Sequence, residues 1–360
     1  MKLLTIVGAR PQFIKAAAVS RVLSRGYSSV VEERLLHTGQ HYDTGMSDVF
    51  FDELGLPRPA VNLGVGSASH GVQTARMLEG IERELLGGAY DAVLVYGDTN
   101  STLAGALAAS KLGVPVFHVE AGLRSRVASM PEEQNRIVAD HLSARLYAPT
   151  ITAVDNLRGE GLGSRTALVG DVMLDNALHY APIARRGGTL RRLGLVDGSY
   201  ALATVHRAAN TDTPGRLRGI FDGLAAVASR FGVKVVAPLH PRTLRCMAQA
   251  GVECGECVVA VPPAGYLDML ALEQGAAVVL TDSGGVQKEA YFLGRPSVIL
   301  RDETEWTEIV DQGAACLAAA DPGSIADAYA VMCRREPSGS GLFGDGSAAV
   351  KIVNDMLKNL

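Results

Sequence analysis

Residues 93–125 read VLVYGDTNSTLAGALAASKLGVPVFHVEAGLRS, two apolar runs that each stop at a carboxylate, Asp98 after the first and Glu120 after the second. The uninterrupted apolar run over 92–96, closed by Gly97, has the pattern of a strand buried on both faces, and the Ala- and Leu-rich stretch behind it has helical spacing. Asp98 and Thr99 stand where the N-cap of that helix belongs. The strand signal returns at 114–119, which makes the stretch one strand–helix–strand unit. Such a crossover gives parallel strands whose carboxyl ends share one edge, and open α/β sheets bind their ligands at that edge. Asp98 and Glu120 are therefore expected together there. Helix capping alone would account for Asp98. It does not account for Glu120, which precedes Ala121-Gly122 rather than a strong helix and is read as a functional carboxylate.

Working outward, strand-like runs at 3–7, 34–38, 92–96, 114–119, 145–147 and 166–169 alternate with helical patterns. The alternation restarts at 200–205 and continues at 233–239, 257–261, 277–281, 297–300 and 315–317. This predicts two parallel α/β domains in succession, over 1–170 and 171–344. The polar, Gly-rich stretch 181–199 marks a hinge there or just before it. A Gly/Ser loop over 337–347 precedes a short last helix, 345–360, expected to cross back to the first domain.

The 360 residues are 48% hydrophobic, ample for two cores, and the net charge of −4 gives no reason to expect nucleic acid or an anionic membrane as partner. The start MKLLTIVGARPQF resembles a signal peptide only until Gly8-Ala9-Arg10-Pro11 interrupts it, and it is read as the first strand. No apolar stretch approaches the roughly 20 residues a membrane span needs, so a cytoplasmic protein is expected. The 5 cysteines do not form a secreted disulfide pattern, and Cys254-Gly-Glu-Cys257 lacks the second pair that a zinc site requires; no metal is expected.

The first strand ends in Gly8-Ala-Arg-Pro-Gln-Phe-Ile-Lys15, where Arg10 and Lys15 surround the positive end of the next helix, a place suited to an anion. One glycine is not the dinucleotide fingerprint, so no nicotinamide or flavin cofactor is expected. In the second domain, Thr281-Asp-Ser-Gly-Gly285 turns from strand to helix, with the N–H groups of Ser283, Gly284 and Gly285 placed for a phosphate and Glu289 for ribose hydroxyls. His206-Arg207 and His240-Pro-Arg242 end two further strands and face the same edge. Met130-Pro-Glu132-Glu133 opens a helix, where acids can serve the dipole alone.

The ordered set Gly8 to Lys15, Gly97-Asp98-Thr99, His118-Val-Glu120-Ala-Gly-Leu-Arg124, Pro131-Glu132-Glu133, Asn135-Arg136, His206-Arg207 and Asp282-Ser-Gly-Gly285 resembles the UDP-N-acetylglucosamine 2-epimerase family over nearly the whole chain. The resemblance implies two Rossmann-like domains of the glycosyltransferase-B type, an interdomain active-site cleft, UDP against the second domain and the sugar facing the first. It implies a non-hydrolysing, cofactor-free homodimer acting on a UDP-sugar. Asp98, Glu120 and Glu132 match the family's acid/base carboxylates, His206 and Arg10 residues near the diphosphate, and Lys15 a cation of the catalytic pocket. Arg136, Arg207, His240, Met269, Ser283, Gly284, Gly285 and Glu289 fall among the expected substrate and UDP contacts.

The chain departs from the family pattern at Gln12 and Ala209, where Glu is usual, and over Ser125 to Ser129. Tyr42 and Asp43 differ from the loop of members activated by substrate. Pro11-Gln-Phe-Ile-Lys15, Thr38-Gly-Gln-His41, Gln287-Lys-Glu289 and Thr304-Glu-Trp-Thr-Glu308 resemble a branch that includes UDP-2,3-diacetamido-2,3-dideoxyglucuronic acid epimerases. That sugar is the alternative substrate, and a UDP-sugar-dependent glycosyltransferase and a non-catalytic nucleotide-sugar binder are the alternatives of other classes.

Overall fold

The computed structural model describes residues 1–40, 51–335 and 341–359. The readings at His41, Tyr42 and Asp43 and over 337–340 lie outside them. Two compact units divide the chain, Met1–Asn176 with Gly341–Leu360 as the first and Ala177–Ser340 as the second.

The first unit contains β1 (Lys2–Val7), β2 (Glu32–His37), β3 (Val61–Asn62), β4 (Ala92–Tyr96), β5 (Val116–Val119), β6 (Arg145–Ala148) and β7 (Thr166–Leu168). They form one parallel sheet in the order β3-β2-β1-β4-β5-β6-β7. All of β4 and β5 is buried, which is why both read as continuous apolar runs instead of alternating ones. The helix Asn100–Lys111 buries Ala104, Ala106, Ala108 and Ala109, and these small side chains let it sit close on the sheet. The last helix, Ala348–Met356, belongs to this unit. Asp175 accepts the N–H groups of Ala348 and Ala349 at 3.1 and 2.8 Å, and Arg145 holds Asp355 through two hydrogen bonds of 2.9 and 2.6 Å.

The second unit contains β8 (Tyr200–Thr204), β9 (Lys234–Pro238), β10 (Val258–Val261), β11 (Val278–Thr281), β12 (Ser297–Ile299) and β13 (Ala315–Leu317), parallel in the order β10-β9-β8-β11-β12-β13. Both sheets have the doubly wound order in which the first strand lies between the second and the fourth. The strand order reverses there, and the loops after β1 and β4, and after β8 and β11, flank the switch points where such folds bind ligands. Each strand expected from the sequence is present, with ends moved by a residue or two. The two-residue β3 was not expected, being too short to show a pattern. Among the described residues no helix is long and apolar enough to cross a membrane.

On one face of the second sheet the helix Pro214–Phe231 buries Leu217, Ile220, Phe221 and Leu224 in a core shared with Ile325 and Tyr329 of the helix Pro322–Met332. Gly219 lies where a Cβ would press on the Ala320 carbonyl oxygen. Replacing a helical Gly by Ala ordinarily stabilises by about 1 kcal/mol. Here the clash with fixed backbone opposes and exceeds that gain, so Gly219→Ala is expected to destabilise the fold by roughly 1–3 kcal/mol. Urea unfolding checks this, and an unchanged or raised midpoint would refute the packing described.

Candidate active site

In the first unit the register pairs Tyr96 with Val119, so the turns after β4 and β5 start side by side. Both turns enter left-handed backbone, at Gly97 (φ 62) and, unusually for a side-chain-bearing residue, at Glu120 (φ 68). The Glu120 conformation costs about 1–3 kcal/mol and persists only where the surroundings dictate it. They do. The N–H groups of Glu120 and Ala121 both donate to the Tyr147 carbonyl at 3.1 Å, and Lys15 Nζ donates to Glu120 Oε1 at 2.5 Å. Lys15 and Glu120 are only 6% and 8% exposed, so neither group can substitute water for the other. Gly97 completes the arrangement, because a Cβ there would lie 2.9 Å from Lys15 Nζ. Lys15 therefore serves the carboxylate of Glu120 rather than the free helix end that its sequence position suggested.

Asp98 does not cap the helix that follows it. Thr99 does, accepting the Thr102 N–H, and Asp98 Oδ2 instead receives Arg136 Nη2 at 2.5 Å. Arg136 also donates to Glu133 at 3.1 Å; burial disfavours its charge, but Asp98 and then Glu133 more than compensate and raise its pKa. The acids of the Pro131–Leu142 helix separate in role. Glu133 is buried and accepts the N–H groups of Ser125 and Arg126 at 2.9 and 2.8 Å, pinning the loop that starts at Ser125, whereas Glu132 on the same turn is exposed. Arg10, half-buried, is the first residue of its helix.

Gln12, the departure nearest the site, is 1% exposed. Its carbonyl oxygen accepts the N–H groups of Gly8 and Ala9 at 2.8 and 3.1 Å, and its NH₂ donates to Tyr96 O and Thr102 Oγ1 at 2.9 and 3.0 Å. It locks the β1 turn to the β4 turn. Behind both carboxylates, His118 of β5 joins Gly97 O and Asp140, and Asp140 binds Arg124. Sequence reasoning missed this group, although a histidine in the apolar run VFHV signals a buried ring that must find partners.

In the second unit the fully buried Asp282 organises the turn after β8. It accepts the N–H groups of His206 and Arg207 (3.1 and 3.0 Å) and the Asn210 amide (3.1 Å). His206 is thereby presented with half its side chain exposed, and Ala209 faces solvent. Ser283 caps the helix Gly284–Phe292, whose first N–H groups, including those of Gly284 and Gly285, have no intrahelical acceptor. Glu289 is buried near Tyr266, whose hydroxyl pKa is raised well above normal by burial first and by Glu289 second. His240 caps the helix Pro241–Ala250 through Nδ1, and Met269 is partly buried against the core cluster containing Val279 and Val286.

Not foreseen from the sequence were Arg301, which binds Glu305 at 2.7 Å, and Lys288, whose ammonium lies 4.3 Å from the Trp306 ring centre. Burial pushes the Glu305 carboxyl up, but Arg301 and Arg207 outweigh it and hold it below the usual range. Among the described residues no cluster of three or more His, Cys, Asp or Glu could hold a metal.

Two parallel, doubly wound sheets, with carboxylates after two neighbouring strands of one and a capped Ser-Gly-Gly helix start at the switch point of the other, give the chain a glycosyltransferase-B-like architecture. The family model for UDP-N-acetylglucosamine 2-epimerase matches residues 27–357, and the chain belongs to that family. It is 46% identical to the UDP-2,3-diacetamido-2,3-dideoxy-D-glucuronate 2-epimerase of Pseudomonas aeruginosa, over 99% of this chain and 100% of that one. It is 39% identical to the UDP-N-acetylglucosamine 2-epimerase of Methanocaldococcus jannaschii, over 98% of both. The crystal structure of the latter in complex with UDP-GlcNAc and UDP superposes with a TM-score of 0.92, covering 99% of this chain and 100% of the other.

The Glu133 carboxyl is pushed up by burial, but the Ser125 and Arg126 N–H groups and Arg136 prevail and lower its pKa from 4.5. A lowered folded-state value means that the stabilisation is complete above the unfolded value and is lost as pH falls below about 4.5 through the folded value. As pH falls from neutral through that window, wild-type protein is therefore expected to lose more stability than Glu133→Gln. Parallel urea titrations for the two proteins, falling equally with pH, would contradict the assignment.

Proposed function

We propose that the protein inverts C2 of a UDP-2-acetamido sugar, converting UDP-N-acetylglucosamine to UDP-N-acetylmannosamine by elimination and re-addition of UDP. The observation that carries this reading is the pair of held carboxylates, Glu120 on Lys15 and Asp98 on Arg136, at the ends of adjacent strands. A relative of 39% identity was crystallised with UDP-GlcNAc and UDP, which supports the same substrate class.

The hydrogen at C2 is not acidic, because the neighbouring C1 is an acetal and offers no carbonyl to stabilise a carbanion. Inversion is accessible if a base removes that proton while the C1–O bond breaks, its electron pair leaving on the diphosphate and the C2–H pair forming the C1=C2 bond of 2-acetamidoglucal. A second acid then delivers a proton to the opposite face as UDP returns to C1. The route requires proton-transfer groups on both faces of the ring, and Asp98, Glu120 and Glu132 are proposed for them. Cations must receive the diphosphate, a role for Arg10, His206 and Arg207. The N–H groups of Ser283, Gly284 and Gly285 would hold its oxygens, and Glu289 the ribose.

Lys15 orients Glu120, and Gln12 is engaged in joining the two turns, so the departure at Gln12 gives no ground for a non-catalytic binder. The second reading, UDP-2,3-diacetamido-2,3-dideoxyglucuronate as substrate, is favoured by the 46% identity to the enzyme named for it. The proposal also retains UDP re-addition over hydrolysis, and a cytoplasmic homodimer, which light scattering checks.

Incubating the protein with each UDP-sugar separately, without acceptor, and following it by NMR distinguishes these readings. The expected product is the C2 epimer with UDP attached. Free N-acetylmannosamine would show hydrolysis, and turnover only on adding an acceptor sugar would show a transferase. Asp98→Asn and Glu120→Gln are each expected to lower kcat by about 10²–10⁴-fold, the range for a general acid or base, while UDP binding by calorimetry persists. Near-normal turnover in both would overturn the assignment.

A further inference from the structure

His118 is wholly buried behind the turns that carry the two carboxylates. Its Nε2 lies 2.7 Å from the Gly97 carbonyl oxygen, and its Nδ1 2.7 Å from Asp140 Oδ1. A carbonyl can only accept, so Nε2 carries a hydrogen. The other Asp140 oxygen receives Arg124 Nη2 at 2.8 Å and the Gly122 N–H at 3.1 Å, so that oxygen carries no hydrogen. Burial pushes the Asp140 carboxyl up, but His118 and Arg124 prevail and hold it below its usual range. The ion pair with Arg124 favours an ionised Asp140, which can only accept, and opposite it Nδ1 donates as well. Arg124 is itself neutralised by Glu160, with two hydrogen bonds of 2.7 Å. The group is thus a closed chain of alternating charge, Glu160, Arg124, Asp140, His118, that ends on a backbone carbonyl.

That carbonyl belongs to the residue before Asp98, and the Gly122 N–H bound by Asp140 lies two residues after Glu120. One His–Asp unit therefore grips both turns that carry the carboxylates. We infer that His118 is a positioning residue for the epimerisation, a doubly donating imidazolium that, with Asp140, sets the Asp98 and Glu120 turns relative to each other. The inference rests on the reaction proposed above. A misplacement of about 1 Å at reacting groups costs on the order of 100-fold in rate, so a clamp on both turns acts on kcat even though its ring touches no reacting atom.

The ring can be observed directly by ¹⁵N NMR of histidine-labelled wild-type protein, as the imidazole whose N–H protons resist exchange with water. The expected result is two protonated nitrogens in the same ring. His118→Gln and Asp140→Asn are each expected to lower kcat about 100-fold with KM and UDP affinity unchanged within error. A buried ring with one unprotonated nitrogen, or wild-type kcat in variants that bind UDP normally, overturns the inference. If a variant fails to fold, the wild-type spectrum still decides the donor pattern. A wild-type protein that epimerises no UDP-sugar would instead defeat the proposed function and leave the spectrum readable.

Discussion

The buried pair of Lys15 and Glu120 is the contact on which the strand-end carboxylates of the first unit depend. It joins Glu120, held in a backbone conformation that a side-chain-bearing residue rarely adopts, to Lys15, whose ammonium lies beside Gly97, itself in left-handed backbone (φ 62) that favours glycine. Removing one member of such a pair leaves a buried charge unpaired, typically at a cost of about 3–5 kcal/mol. The pair is thus unsuited to a merely decorative role, and an apolar pair of similar volume would meet a purely structural need at least as well. What it provides is a carboxylate fixed at the end of a central strand, one strand away from a second carboxylate fixed by Arg136.

The second unit uses the same physical device with the signs exchanged. There the acid is beneath the loop: Asp282, fully buried, takes the His206 and Arg207 N–H groups, so that the His206 and Arg207 side chains are carried on an ordered turn. Thr204 and Thr281 join their hydroxyls at 2.6 Å just below, tying the two strands at the point where the chain leaves the sheet. In both units the parallel sheet supplies only the edge. Which side chains point from it is decided by buried polar groups one layer down.

That layering explains what the sequence revealed and what it did not. The strands, the crossovers and the turns at Gly97, Glu120, His206 and Ser283 were legible because strand periodicity and glycine-rich turns are local signals. The partners were not, because they are set by tertiary contact. Lys15 lies 105 residues from Glu120, Arg136 38 residues from Asp98, and His206 76 residues from Asp282. Local rules also left open which of two adjacent residues acts: Thr99 rather than Asp98 caps its helix, and Glu133 rather than Glu132 turns inward. The His118–Asp140–Arg124 group escaped notice because each member alone resembles an ordinary member of a strand, helix or loop.

The chain shares its family with enzymes named for two different UDP-sugars, and the step common to them is inversion at C2. In the proposed route C2 loses its proton and regains one from the protein's acids. Running the reaction in heavy water and examining the product at C2 tests it most directly. Deuterium is expected at C2 of the epimerised UDP-sugar, and inversion with the original hydrogen still in place would refute proton exchange at C2.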